Sequence, residues 1–163
     1  MTDQKIYHPL LDVENVMRIL NKISILAGLS DKQLQSLFKL LKKVSYGAGE
    51  IIFDQGQEPG YIYIVQSGKV KLIADRHETP LELIVFEEGR CFGESAVIGI
   101  QRHAASAIAA EDTSLIVLSR QALLSIYKSD LELFSILILN IAREACSRLH
   151  SSDEVLLHYV HRK

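Results

Sequence analysis

The sequence predicts a mainly β fold of the α+β class, an antiparallel β-roll or jelly roll that carries helices at both ends. Two observations predict it. Short β-rich runs punctuated by glycine and proline fill residues 44–118, and apolar residues at helical spacing lie on either side of that interval. No helix of crossover length separates one β-run from the next, which favours antiparallel pairing. We therefore expect one domain over residues 1–163.

Residues 9–43 are predicted to form two amphipathic helices. The first is expected to begin behind Pro9, because proline suits a first helical turn. Its apolar face consists of residues at helical spacing: Leu10, Val13, Met17 and Leu20. The second is expected to begin at Ser30, which forms an S-x-x-Q capping box with Gln33 just before a run of apolar residues at helical spacing.

The β-roll is assigned to residues 44–118. Its expected strands are EIIFDQG, YIYIVQSG, KVKLIAD, LELIVFEEG and TSLIVLS. One interval departs from this pattern: FGESAVIG, residues 92–99, is rich in small residues and is predicted to be a short helix inserted between two strands.

Helical spacing returns over residues 119–150. Ser119 is expected to cap a first helix, and a longer helix is predicted from about Asp130 to His150. Residues 151–163 are interpreted as a tail without assigned function, which either forms another amphipathic turn or two or frays.

The long C-terminal helix has almost no polar face over residues 131–142, so it must be covered on more than one side. We expect part of it to pack on the β-roll and the rest of residues 131–150 to form a homodimer interface. Burial within the core of the same chain is the alternative. Three polar residues share one face of this helix: Asn140, Glu144 and Arg148. We expect them to lie on the surface or at the rim of a dimer rather than to contact a ligand base.

Composition argues against several classes of protein. The formal net charge is −2, from 18 basic and 20 acidic side chains, so there is no basic field for direct DNA binding. The apolar run at 131–142 is too short and too interrupted to span a bilayer, and MTDQKIYHPL lacks signal-peptide features, which predicts a cytoplasmic protein without membrane contact. Cys91 and Cys146 show no zinc-ligand spacing, and no nucleophile–base pair is recognisable. We therefore expect no metal, no cofactor and no enzymatic activity.

The stretch CFGESAVIGIQRHAASAIAAED, residues 91–112, has the outline of an anion site. The first amides of a helix that starts near Glu94 lack intrahelical partners and carry the positive end of the helix dipole, so an oxyanion can bind there. Glu94 itself would repel a phosphate but accepts a hydrogen bond from a neutral ribose hydroxyl. Small residues let backbone amides approach closely: Ala96, Ala104 and Ala105. A sugar phosphate meets both requirements.

Four motifs fall in register over residues 49–105: the GE of GAGEIIFDQG, the glycine of IVQSGKVKL, the FGE of CFGESA and the Ala-Ala of RHAASA. With them, residues 23–150 resemble the cyclic-nucleotide-binding domains of bacterial catabolite-activator-type regulators, protein kinase A regulatory subunits and cyclic-nucleotide-gated channels. The resemblance implies a β-roll fold and a cyclic nucleotide as ligand.

The resemblance also implies which residues bind the ligand. The implied residues are Gly93 and Glu94 for the ribose 2′-hydroxyl, backbone amides of Ser95, Ala96 and Ala104 for the cyclic phosphate, and Leu72, Leu83 and Ile84 for an apolar wall around the base. Because cyclic-GMP readers of the family often carry threonine in place of Ala104, the alanine favours cyclic AMP.

The sequence departs from the family at the phosphate-binding arginine. Kinase-like members carry it nine residues after the glutamate, where this chain has His103, whereas Arg102 stands eight residues after Glu94. Arginine is always charged and offers a planar fork to phosphate, but a free histidine is mostly neutral at pH 7. Three interpretations stay open. Arg102 reaches the phosphate through a one-residue slip permitted by Gly99, His103 binds it as imidazolium, or the pocket no longer binds cyclic nucleotides.

Two functional hypotheses follow. The first is a regulatory module in which a cyclic nucleotide moves the C-terminal helix and the signal passes to an unidentified protein partner. Only residues 151–163 follow the long helix, too few for a helix-turn-helix, so a stand-alone sensor is expected rather than a DNA-binding regulator. The second is a dimerisation or protein-interaction module that keeps the fold without binding a cyclic nucleotide.

Overall fold

The computed structural model of the protein describes residues 5–160. In that range the chain forms nine β-strands, five α-helices and two 3-10 turns. The strands are β1 His8–Pro9, β2 Lys42–Tyr46, β3 Ile51–Phe53, β4 Tyr61–Ser67, β5 Val70–Ala74, β6 Leu81–Phe86, β7 Cys91–Phe92, β8 Ser106–Ala109 and β9 Thr113–Ser119. The helices are α1 Val13–Ile19, α2 Asp31–Phe38, α3 Glu94–Gly99, α4 Arg120–Ser129 and α5 Leu131–Val160, with 3-10 turns at Leu20–Lys22 and Ser24–Leu26.

Two antiparallel sheets form the β-roll that the sequence predicts. One sheet has the strand order β1-β2-β9-β4-β7, and the other has the order β3-β8-β5-β6. Inward-facing residues of both sheets form one apolar core, built around Phe53, Phe86 and Phe92. The helices at the two ends of the chain, the short inserted α3 and the long α5 complete the predicted fold class.

Two central strands, β4 and β9, are buried on both faces. Tyr63 and Val65 of β4 face the interior of the roll, whereas Ile62 and Ile64 face the helices. That second core also contains apolar residues of α1, α2, α4 and α5. A strand covered on both faces has an almost continuous apolar sequence, which explains the run YIYIV.

The first helix begins later than predicted. Pro9 lies in β1 instead, and Asp12 caps α1, because its carboxylate accepts a hydrogen bond from the amide of Asn15 at 3.3 Å. The predicted apolar face is wrong in part: Leu10 is buried and Leu20 packs against the core, but the two predicted residues that lie inside α1 do not. The residues of α1 that are buried are Val16 and Ile19, whereas Val13 and Met17 are exposed. Because the side chain of Asp12 caps the helix, α1 begins after Asp12 rather than behind Pro9. This later start changes which residues face the core.

The second helix begins where the capping box predicts. The amide of Gln33 donates to Ser30 Oγ at 3.3 Å, and the amide of Ser30 donates to Gln33 Oε1 at 2.9 Å. Leu34, Leu37 and Phe38 are buried against the helical core.

The last helix is longer than predicted. α5 is continuous over 30 residues, so residues 151–160, interpreted from the sequence as a tail, extend it, while residues 161–163 lie outside the described part. The stripe that faces the body consists of Leu133, Leu137, Asn140, Ile141 and Glu144. All side chains of residues 149–158 are exposed, so the last turns extend beyond the body. None of the helices within residues 5–160 has the length and apolar character that a membrane span requires.

Candidate functional site

The site forms where β7 ends and α3 begins. Gly93 joins them with a φ of 79°, in the left-handed region that side chains with a Cβ rarely adopt. A Cβ at Gly93 would also lie 3.0 Å from the carbonyl oxygen of Tyr61 and 3.0 Å from a ring carbon of Tyr63. Two independent features therefore require glycine at position 93, its backbone conformation and its close packing on β4.

Behind this turn lies a cavity of about 190 Å³ between α3 and the four-stranded sheet. It is lined by Phe53, Leu72, Leu83, Gly93, Ser95, Ala96, Gln101, Arg102, His103, Ala104 and Ala105. Of the ligand residues that the sequence proposes, only Glu94 and Ile84 are not in this lining. The structure thus brings the small-residue cassette, the Arg-His pair and the apolar wall to one place.

The apolar wall depends on an irregularity that the sequence does not reveal. Leu72 pairs with Ile84 and Ile73 pairs with Glu82, so Leu83 is the extra residue of a bulge in β6. A bulge redirects side chains, and here Leu83 lines the cavity while Ile84 packs against the core of the roll.

Sequence reasoning missed Phe53 and Gln101, which also line the cavity, whereas the lining residue Ala105 was expected there as a small residue that lets backbone amides approach. Phe53 ends β3, a strand predicted from EIIFDQG, but burial does not alternate along it: Ile51 is exposed, Ile52 and Phe53 are both buried, and the register shifts between Ile51 and Phe53. No local signal shows which inward-facing residues reach the cavity.

His103 packs inside the cavity. Its ring stacks on Phe53 with centroids 3.6 Å apart and planes inclined by 11°, and the residue is only 6% exposed. Burial lowers the pKa of His103 from its usual 6.5. The ring is therefore neutral at pH 7, and protonating it for a phosphate requires the ligand to offset that burial.

Arg102 lies at the rim of the cavity, with 66% of its side chain exposed. Nη2 lies 2.6 Å from Glu58 Oε1, and Nη1 donates to the carbonyl oxygen of Gly56 at 2.9 Å. It is the one permanently charged side chain among the described residues that line the cavity.

Glu94 is 1% exposed and turns away from the cavity toward α5, where it forms an ion pair with Arg148. Arg148 also donates to the carbonyl oxygen of Cys91 at 3.4 Å, and its guanidinium lies 5.5 Å from the centre of the Phe86 ring. Glu94 Oε2 is buried and has no hydrogen-bond donor within residues 5–160. The carboxylate thus joins the start of α3 to the long helix and keeps one free acceptor.

The surface placement expected for Asn140, Glu144 and Arg148 is wrong. All three face the body: Asn140 and Glu144 both bond to residues 24–27, and Arg148 pairs with Glu94. Asn140 Nδ2 donates to the carbonyl oxygens of Ile25 at 3.1 Å and Ala27 at 2.8 Å. Glu144 accepts from Ser24 Oγ at 2.9 Å and pairs with Arg90 at 2.9 Å. A stripe of polar contacts therefore attaches α5 to the body.

Comparisons with known proteins agree with this geometry. Residues 43–130 match the family model described as "Cyclic nucleotide-binding domain". The cyclic AMP receptor protein of Thermus thermophilus is 30% identical over 129 residues, which are 77% of this chain and 57% of that protein. The cGMP-dependent protein kinase egl-4 of Caenorhabditis elegans is 28% identical over 110 residues, 66% of this chain but 14% of the kinase. The chain thus spans only part of the length of these relatives.

Solved structures show the same fold. A cyclic nucleotide-binding domain from Methylobacillus flagellatus superposes with a TM-score of 0.83 at 20% identity and covers 95% of this chain and 88% of its own. The catabolite activator protein of Thermus thermophilus gives a TM-score of 0.73 at 27% identity, with 84% of this chain and 63% of that chain covered. From its fold, its cavity and the match over residues 43–130, the chain belongs to the cyclic nucleotide-binding domain family, a regulatory fold.

Proposed function

We propose that the chain is a ligand-sensing regulatory module, without catalytic activity of its own, that binds a cyclic nucleotide, cyclic AMP in the first place. The observation that carries this proposal is the cavity itself, since a cation, small-residue backbone and apolar wall converge there. Relatives described as binding or depending on cyclic nucleotides include a regulatory domain of Toxoplasma gondii protein kinase A in complex with cAMP.

The cyclic phosphate is assigned to the cassette and Arg102. By rotating its side chain away from Glu58, Arg102 brings a bidentate fork to the phosphate. The amides of Ser95 and Ala96 belong to the first turn of α3 and lack intrahelical acceptors, so they complete the phosphate contacts together with the amide of Ala104. His103, buried and neutral, contributes packing rather than charge.

The base is assigned to the apolar wall of Leu72 and Leu83, with Ile84 supporting it from the core side. Ala104 lines the cavity and offers no hydroxyl to the amino group of guanine, which supports cyclic AMP over cyclic GMP. The substitution Ala104→Thr is accordingly expected to raise the affinity for cyclic GMP relative to cyclic AMP.

Glu94 is assigned two roles: it binds the ribose, and it transmits ligand binding to α5. Its free acceptor Oε2 suits the 2′-hydroxyl once the start of α3, with Gly93, adjusts to face the ligand. Because Oε1 is paired with Arg148, such an adjustment alters the attachment of α5. A ligand that binds differently to the two positions of α5 shifts their populations, and this is the proposed route of signalling.

A movement of α5 is proposed to act on a homodimer interface formed by this helix and on a protein partner. On the side of α5 opposite its body-facing stripe, residues at alternating spacings of four and three form an exposed set, the α5 seam: Ser135, Leu139, Ala142, Cys146, Leu149, Asp153, Leu156 and Val160. This spacing is the a/d pattern of a two-stranded coiled coil. The seam extends the interface predicted at residues 131–150 to the end of the described helix. The cytoplasmic location and the lack of direct DNA or membrane contact stay predictions.

A second candidate function is a dimerisation or protein-interaction module without cyclic-nucleotide binding. The cavity of about 190 Å³ is smaller than the roughly 300–1,000 Å³ of most ligand pockets, because His103 occupies part of it. Arg102 and Glu94, moreover, already have partners within the chain. These observations favour the alternative if the cavity does not open.

Thermal unfolding in the presence of cyclic AMP, cyclic GMP and adenosine distinguishes the two functions. At cyclic AMP concentrations 100 times the dissociation constant, binding to the folded state alone is expected to raise the Tm by about 5–10 °C. Adenosine, which lacks the phosphate, should have a much smaller effect. In Arg102→Ala the affinity for cyclic AMP should fall about 10- to 100-fold, since a charged hydrogen bond is lost. An unchanged Tm with every nucleotide would favour the interaction module.

A further inference from the structure

Two loops close the rim of the cavity as one unit. The loop between β3 and β4 donates from the Gly56 amide to the carbonyl oxygen of His103 at 2.8 Å, and the His103 amide donates back to the carbonyl oxygen of Gln57 at 3.0 Å. Reciprocal backbone bonds of this kind fix the two loops relative to each other. Glu58, the next residue of the first loop, is thereby held opposite Arg102 of the second.

Both arms of the Arg102 guanidinium are engaged by the first loop. Nη2 pairs with Glu58 Oε1 at 2.6 Å, and Nη1 donates to the carbonyl oxygen of Gly56 at 2.9 Å. An end-on bidentate contact with a ligand phosphate uses the same two nitrogens, Nη1 and Nη2. An anion that enters the cavity must therefore displace the carboxylate of Glu58 before it can use Arg102 fully.

We infer that Glu58 is an affinity-determining residue of this site, an internal anion that competes with the ligand phosphate for Arg102. The role rests on the proposed cyclic-nucleotide function. Glu58 is not in the cavity lining and acts only through Arg102. It weakens binding of anionic ligands and leaves neutral ones unaffected, so it also sets how strongly the site distinguishes a cyclic nucleotide from a nucleoside.

The competition is mild because the pair is solvated. The side chains of Arg102 and Glu58 are 66% and 72% exposed, and exposed ion pairs contribute little to stability. Displacing Glu58 therefore leaves a hydrated carboxylate rather than a buried charge. We expect Glu58→Gln, which keeps the shape but removes the charge, to bind cyclic AMP about two- to five-fold more tightly.

The test is calorimetric titration of Glu58→Gln and the unaltered chain with cyclic AMP and with adenosine. Glu87→Gln is the matched control, because Glu87 is likewise exposed and ion-paired, with Lys69 at 3.5 Å, but does not touch Arg102. Tighter binding of cyclic AMP by Glu58→Gln, with adenosine unaffected and Glu87→Gln like the unaltered chain, is expected. A contact that only stabilised the loop would change binding in the opposite direction when lost.

The double variant Glu58→Gln/Arg102→Ala completes the cycle. If Glu58 acts through Arg102, the gain from Glu58→Gln disappears in the Arg102→Ala background. Equal or weaker binding of cyclic AMP by Glu58→Gln, or a gain that persists without Arg102, overturns the inference while the proposed function stands. Absence of cyclic AMP binding by the unaltered chain and by Glu58→Gln contradicts the proposed function itself, and the inference fails with it.

Discussion

The imidazole of His103 stacks on the ring of Phe53 with centroids 3.6 Å apart. At the position where kinase-like relatives are expected to carry a phosphate-binding arginine, this chain thus has a neutral ring that packs against the end of β3. The neighbouring Arg102 supplies the cation at the cavity rim instead. This arrangement favours the first of the three interpretations left open by the sequence.

The buried imidazole should make stability depend on pH. Because burial lowers the pKa of His103 from 6.5, the unfolded chain takes up a proton at a higher pH than the folded chain does. The contribution of the neutral ring is complete above about pH 6.5 and is lost as the pH falls through the lowered pKa of the folded state. Urea unfolding between pH 8 and pH 5 should show this loss, and His103→Gln should remove that part of it. The same substitution at the exposed His8 serves as control, and equal slopes in His103→Gln and the unaltered chain would refute the assignment.

Removing Arg148 should destabilise the chain strongly. Arg148→Met leaves the carboxylate of Glu94 buried without its cation, which typically costs about 3–5 kcal/mol in the free energy of unfolding. Glu94→Gln should cost less, because Arg148 keeps some exposure and its bond to the Cys91 carbonyl.

The double variant Glu94→Gln/Arg148→Met should therefore be more stable than Arg148→Met alone, as measured by urea denaturation. Arg120→Met, at an exposed position of α4, is the control. Additive losses in the double variant would mean that the two residues are not coupled.

Two glycines with similar backbone angles should differ in their tolerance of a side chain. Gly28 and Gly93 have φ values of 76° and 79°, but a Cβ would meet nothing within 4 Å at Gly28 and would crowd β4 at Gly93. Alanine at either position must adopt a left-handed conformation, which lowers the free energy of unfolding by about 1–2 kcal/mol. Gly93→Ala should lose more in urea denaturation and should also weaken cyclic AMP binding, because α3 starts there. Equal losses in the two variants would show that the close approach to β4 is unimportant.

The α5 seam predicts how the oligomeric state responds to charge. Leu149→Glu and Leu156→Glu place a carboxylate within the seam and should convert a dimer to a monomer in sedimentation equilibrium. Val155→Glu is the matched control, because Val155 is 56% exposed but lies off the seam on the other side of the helix. A monomer before any substitution, or dissociation caused equally by Val155→Glu, would contradict the proposed interface.

Local signals made much of the fold predictable. The Ser30–Gln33 capping box set the start of α2, and the small residues at 92–99 marked α3. The first helix was misjudged because Asp12 competes with Pro9 as a starting point, and the choice between them decides which face is buried. The sequence left open whether the segment after His150 continues as helix or frays, because its side chains are exposed and burial therefore does not decide between the two.

The site was predictable as far as it is contiguous in sequence. The cassette residues and the Arg-His pair lie within residues 91–112, so one stretch located most of the cavity. The partners of its charged groups come from distant segments. Neither the pairing of Glu94 with Arg148 nor that of Arg102 with Glu58 leaves a local pattern, since both depend on how α5 and the β3–β4 loop pack.

Calorimetric titration of the unaltered chain with cyclic AMP at about pH 6 and pH 8, on either side of the free histidine pKa, distinguishes Arg102 from His103 as the residue that binds the phosphate. If Arg102 holds the phosphate while His103 stays neutral, the chain should bind cyclic AMP with closely similar affinity at both values. Binding confined to the lower pH would transfer the phosphate to protonated His103, and no binding heat at either pH would contradict the cyclic-nucleotide function.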